Sequence, residues 1–150
     1  MSYDRTNTGA WAWLKSVGAA ESPLHRDWRA EETHLHQKCW FSKHPRSLQS
    51  GDLLIYYAAK WGRLCGLMEL ISDEVLQEEE HPVNGKRWQY AMSVRPVIML
   101  PLPTAPTLAD AQIDPLRVRR QSHIKLTAGE YQHIRGLLLA HATHEVDPDS

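Results

Sequence analysis

Cysteine is scarce in this chain of 150 residues, and its scarcity removes a class of protein. The 2 cysteines, Cys39 and Cys65, fall on segments expected in or beside the core. A disulfide-stapled scaffold is therefore implausible, and a reducing cytoplasm is the expected location. Charge of one sign is also missing: 17 lysines and arginines meet 18 acids, for a formal net charge of −1. A protein gripping long duplexes through many phosphates is usually basic overall, so a nucleic-acid partner would have to be held by a local patch and a pocket. No apolar run reaches membrane-spanning length, and Met1 to Asn7 lacks the apolar core of a secretory leader, so no membrane partner is expected. Gly-x-Ser-x-Gly, a phosphate-binding glycine loop and His-Glu-x-x-His are absent as well, as are internal repeats and low-complexity tracts.

What is present is organised around Gly51 to Ile71. Two apolar runs, Leu53 to Ala59 and Leu64 to Ile71, flank Lys60-Trp61-Gly62-Arg63, the pattern of a hairpin with a short loop. Both runs are almost continuously apolar, whereas a strand with one wet face alternates, so both faces of the hairpin should be covered. This suggests a small barrel with helices outside it and function at its mouth. A chain of this length fits one domain burying about 70% of its unfolded surface, here residues 1–150 with an ordered core of about 10–140, a polar N-terminal tail and an acidic tail from His141.

Elsewhere the pattern predicts a first strand from Ala10 to Lys15, a loop over Val17 to His25, and one short helix within Asp27 to Lys38. A polar connection is expected from Ser72 to Lys86, then a half-buried strand carrying Trp88, Tyr90, Met92 and Val94, with Pro96 forcing a bulge or edge position. Thr107 can cap a helical turn, and Arg117 to Leu126 should include a last short strand. Thr127 with Glu130 matches a capping box opening a helix striped with Tyr131, Ile134, Leu137 and Leu138. Gly136, mid-helix, suggests a turn packed closely against the barrel.

Among the residues able to carry chemistry, the tryptophans stand out. Trp40 and Trp61 fall in or next to loops and are candidate walls of a pocket on which a planar base stacks, while Trp11, Trp13 and Trp88 lie on strands as core. Tyr57 can aim its hydroxyl at the same mouth. Arg117, Arg119, Arg120 and Lys125 form a basic cluster suited to phosphates, and Gln121 and Ser122 can read a base edge by donating and accepting. His34, His36 and Cys39 supply too few ligands for a closed zinc site; no metal and no cofactor is assigned. Cys65, inside an apolar strand, reads as inert packing.

Several pieces coincide in order: a tryptophan-bearing strand ending in Lys15-Ser16, Gly51-Asp52 opening a strand with Tyr56-Tyr57, a return strand with Gly66, Val94-Arg95-Pro96-Val97, and Arg120 to Thr127 leading into Glu130-Tyr131. Together they resemble an EVE domain of the PUA-like superfamily, which also contains the YTH and ASCH domains. The resemblance runs from about Trp11 to Leu138. It implies an α+β fold, a PUA-like mixed β-barrel with flanking helices, and non-enzymatic binding of a modified nucleobase in DNA or RNA. It also places Lys15 and Ser16 on the lining of the pocket. Lys38 to Ser42 stands where many EVE proteins carry a Trp-Gly-Val-Asn-like segment, and keeps a tryptophan there. The superfamily leaves one alternative, an ASCH-like hydrolase of an acylated base or nucleoside using Lys15 and Glu69, and the near-neutral charge leaves another, a small-ligand or protein-interaction module.

Overall fold

The computed structural model describes residues 11–18, 23–41, 43–77, 90–119 and 123–145. In chain order its elements are β1 (Ala12–Val17), α1 (Trp28–Glu31), β2 (Lys38–Phe41), β3 (Leu53–Ala58), β4 (Arg63–Leu70), β5 (Leu76–Gln77), β6 (Tyr90–Met99), α2 (Leu108–Ala111), α3 (Pro115–Arg119), β7 (His123–Leu126) and α4 (Ala128–Glu145). The strands form one sheet in the order β2-β6-β4-β3-β1-β7, with β5 also on β6. Only β1 and β3 run parallel. The sheet curls into an α+β, PUA-like half-barrel.

The expected hairpin is its centre. β3 and β4 pair antiparallel with a bulge at Tyr56/Tyr57, and nearly every residue of both is buried. Apolar side chains on both faces require cover on both faces. On one side that cover is α4, whose Tyr131, Ile134 and Leu138 are buried against a sheet it meets along β4, β6 and β7. On the other it is the barrel's own interior, plugged by Trp28 from α1. Trp28 is 0% exposed and donates its indole N–H to the Leu100 carbonyl at 2.7 Å. Gly66 makes room for it: a Cβ there would stand 3.3 Å from the Trp28 ring and the Met68 methyl and 3.4 Å from the Ile98 carbonyl oxygen. A side chain on residue 66 would overpack this layer.

The Gly51-Asp52 pair also has a structural task. Asp52 is fully buried and accepts from the Trp11 backbone N–H at 3.0 Å, the Trp13 indole N–H at 3.2 Å and the Gln49 backbone N–H at 3.2 Å. One carboxylate thus fixes the start of β1 beside the start of β3, satisfying its buried charge with three donors.

Several expectations hold in outline and shift in detail. The Pro96 irregularity is a register shift in the β4–β6 ladder that leaves Val97 unpaired and half exposed. Thr107 caps α2 in a capping box with Asp110, and Thr127 with Glu130 does the same for α4. The single helix expected between Asp27 and Lys38 is instead α1 followed by a 3-10 turn, Thr33–His36. Gly136 is exposed, and a Cβ there would meet nothing within 4 Å, so close packing does not explain it. Helix α4 runs on through Glu145, past the point where a tail was expected. The connection after Ser72 contains β5, while Trp88 lies outside the described residues.

Candidate functional site

Side chains alternate faces along a strand, and residues paired across a ladder share a face. Trp13, Lys15 and Val17 therefore point to one side of β1, and Ala12, Leu14 and Ser16 to the other. The register adds Tyr56 of β3 and His123 of β7 to the Lys15 side. This side is the interior. The Lys15 ammonium lies 5.0 Å from the Phe41 ring centroid, and that ring meets His123 edge-on at 5.4 Å. Phe41 belongs to β2, at the opposite end of the strand order, so the two rings meet only across the hollow of the curled sheet. The seam between the terminal strands β2 and β7 is spanned by Lys15, Phe41 and His123, with Trp13 5.5 Å from the His123 ring on its other side.

The electrostatics of this seam follow from burial. Lys15 is 0% exposed and donates to the Ser16 carbonyl at 2.5 Å. Loss of water lowers its pKa from 10.5 to about 8, and the nearby Cys39 acts weakly the other way. His123 is half-buried, and burial together with the Lys15 charge lowers its pKa to about 4. Burial raises the Cys39 thiol to about 11, and the Tyr56 hydroxyl, donating to the Leu35 carbonyl at 2.9 Å, rises well above its ordinary value. At pH 7 the seam thus offers one ammonium donor, one neutral imidazole and two flat rings, with His123 its contact to solvent. Such a set can read the edge of a heterocycle by donating and accepting hydrogen bonds.

The structure divides the residues expected to form one pocket. Lys15 is at the seam, but Ser16 and its cross-strand partner Tyr57 are half-buried on the opposite face, so adjacency in sequence does not make Lys15 and Ser16 co-lining residues. Trp40 is not on a loop. It sits in β2 between Cys39 and Phe41, which face inward, so it faces outward, 4% exposed, with the Lys38 ammonium 5.7 Å from its ring. Trp61 is on the β3–β4 loop as expected, but it lines a different cleft, described below. Arg117 forms a two-pronged ion pair with Glu130, inside the cap of α4. Lys125 places its ammonium 3.8 Å from the Trp11 ring centroid. Arg119 closes α3, while Arg120, Gln121 and Ser122 lie outside the described residues.

The Lys15 and Glu69 pair of the hydrolase alternative does not converge. Glu69 pairs in register with Leu53, and Leu53 with Ala12, three residues from Lys15 and on the other face; its carboxylate is ion-paired to Arg95. Among the described residues, no three His, Cys, Asp or Glu side chains gather as metal ligands do. The seam residues that sequence reading left out as ligand contacts, Trp13, Phe41 and His123, carried one usable signal. The alternation Trp11-Trp13-Lys15 puts an amine in line with two indoles on one face of a strand. Phe41 had no local signal, because only the closure of the sheet brings it there.

No known family profile matches the chain, and no curated protein matches it. Solved structures do. The NMR structure of Rpa0253 from Rhodopseudomonas palustris is 16% identical and superposes with a TM-score of 0.52 over 87% of this chain and 94% of its own. A hypothetical protein from Leishmania major gives 0.54 at 16% identity over 87% and 96%. Atu2648 from Agrobacterium tumefaciens gives 0.54 at 16% identity over 85% and 92%. The chain shares their fold. Among the described residues no helix is long and apolar enough to cross a membrane.

Proposed function

We propose that this chain is an EVE-type reader that binds a modified nucleobase of DNA or RNA at the β2–β7 seam, without catalysing a reaction. The observation that carries the reading is Lys15: a fully buried amine, among Trp13, Phe41 and His123, where the terminal strands of a PUA-like half-barrel face each other. A lysine on an interior strand position carries a desolvation cost, and perturbed buried groups of this kind cluster at functional sites. Recognition of a base needs flat surfaces and a few fixed polar groups, and the side chains gathered at the seam are of both kinds, which supports the reading. Binding fits better than turnover. Both cysteine thiols are pushed up by burial, so neither is a thiolate at neutral pH, and Glu69 cannot reach Lys15.

The test is fluorescence anisotropy with short oligonucleotides carrying a panel of modified bases, each beside its unmodified counterpart, at two salt concentrations. Discrimination of tenfold or more, kept at high salt and lost in Lys15→Met, is the expected result. Equal affinity for every modified and unmodified pair would refute the reading, and turnover of an acylated nucleoside abolished by Lys15→Met would replace it with the hydrolase.

A further inference from the structure

The tip of the β3–β4 hairpin carries a cleft. It measures about 590 Å³, a size ordinary for small-ligand sites, and is lined by Pro23, Leu24, Lys60, Trp61, Arg63 and Pro103. Its walls are two prolines, a leucine and an indole; its charges are two cations, and none of these six residues is acidic. The Trp61 indole N–H donates to the Leu24 carbonyl at 2.9 Å, which locks the ring and leaves its face, not its edge, for recognition. Arg63 is anchored through one N–H to the Ala105 carbonyl at 2.5 Å, and a guanidinium has four more to offer. Asp110, whose carboxylate senses the Arg63 charge, is occupied in the α2 capping box with Thr107.

Lys60 adds an independent observation. Its φ is +72°, a left-handed position that glycine or asparagine takes with less strain. Lys60 stands exposed at the rim of the cleft in this conformation, so its replacement by glycine would remove the amine while relaxing the backbone.

We propose that this cleft binds a nucleoside monophosphate unit, with the base stacked on the Trp61 face and the phosphate between Lys60 and Arg63. Stacking on a ring whose polar edge is engaged tolerates any base, and paired cations select the phosphorylated form. The site is separate from the Lys15 seam and does not depend on it.

Isothermal titration of the whole chain with AMP, adenosine and inorganic phosphate tests this. AMP should bind at least tenfold more tightly than adenosine or phosphate alone. Lys60→Gly should weaken AMP binding about tenfold without lowering Tm, and Trp61→Phe should retain binding that Trp61→Leu loses. A competition arm separates the two sources of the ligand: displacement of AMP by a short unmodified single strand, tighter per site than AMP, assigns the cleft to nucleic acid, and no displacement assigns it to free nucleotide. AMP binding that is absent, or that is unchanged in Lys60→Gly and in Trp61→Leu, overturns the proposal. Lys15→Met, which leaves the cleft intact, should bind AMP as the parent does.

Discussion

Replacing Lys15 by methionine should stabilise the protein at pH 7, by an amount that vanishes as the pH rises. The substitution keeps the length and most of the volume of the side chain and removes its charge. Its magnitude follows from the position of the amine. A pKa lowered from 10.5 to about 8 in a site with no exposure corresponds, at about 1.4 kcal/mol per pH unit, to a penalty of about 3 kcal/mol for the charged form. The attraction of the ammonium to the Phe41 ring, 5.0 Å from its centroid, is worth up to about 2 kcal/mol when desolvated and acts against the gain. The net expectation is that Lys15→Met is more stable than the parent at pH 7 by about 1–3 kcal/mol.

The pH dependence is the sharper test. An unfolded chain keeps the Lys15 proton up to about pH 10.5, whereas the folded chain releases it near 8. Between those values the unfolded state holds more protons, so the parent gains stability as pH rises and the variant does not gain it from this site. Urea denaturation of both proteins at several pH values from 7 to 10.5 should show their difference narrowing by that same amount, about 1–3 kcal/mol. The groups that feel the Lys15 charge fall outside most of this window: His123, lowered to about 4, is neutral throughout, and Cys39, raised to about 11, is mainly a thiol in the folded protein. A difference that stays flat across this range would mean that the amine reaches water, and the seam as described would be wrong.

Three further outcomes follow from the packing. Gly136→Ala should raise stability by about 0.5–1 kcal/mol, because the position is helical and exposed with nothing within 4 Å of the added Cβ; thermal denaturation reads it, and a loss would show a hidden contact. Asp52→Ala should cost about 3 kcal/mol, since a buried Trp13 indole N–H and two backbone N–H groups lose their acceptor, with Asp52→Asn intermediate in urea denaturation. Both thiols should resist alkylation at pH 8 until the chain unfolds, because both are buried and raised in pKa; rapid reaction of Cys39 in the native protein would place it on a solvent-connected cavity.

The sequence made the hairpin legible because its signal is local: two apolar runs, a turn with Gly62, and no polar alternation. The cap at Thr107 and the capping box at Thr127 were legible for the same reason, as each lies within four residues, although the reciprocal contact from Asp110 emerged only in the structure. β2 was not, because four residues, Lys38 to Phe41, carry no periodicity until β6 supplies the partner ladder. The candidate site shows the same division. Lys15 was singled out through resemblance, and the structure places it fully buried inside the half-barrel. Ser16 was carried along by adjacency, which the period of a strand contradicts: next to each other in sequence means opposite faces in a sheet. Trp40 was assigned to a pocket because it looked like a loop residue. Once it is a strand residue between two inward-facing neighbours, it must face outward. Long-range closure, which brings Phe41 to His123, leaves no trace in either segment alone.

The two proposed sites are joined through β1 and β3, and that connection has a measurable consequence. Val17, two residues beyond Lys15, pairs with Ala58 at the end of β3, and the Ala59 N–H donates to the Val17 carbonyl at 2.9 Å. Two strand residues span about 7 Å, so the Trp61 loop begins within reach of a strand whose base occupies the seam. If one single strand engages both, the second contact forms intramolecularly at high effective concentration, and loss of either site removes that advantage. For an oligonucleotide with a modified base, the double variant Lys15→Met with Lys60→Gly should then bind more tightly than the sum of the two single losses predicts. For AMP, which fills the cleft alone, Lys15→Met should change nothing and the cycle should close to zero. Additive losses with the oligonucleotide would separate the sites functionally, leaving two independent sites and not a single track.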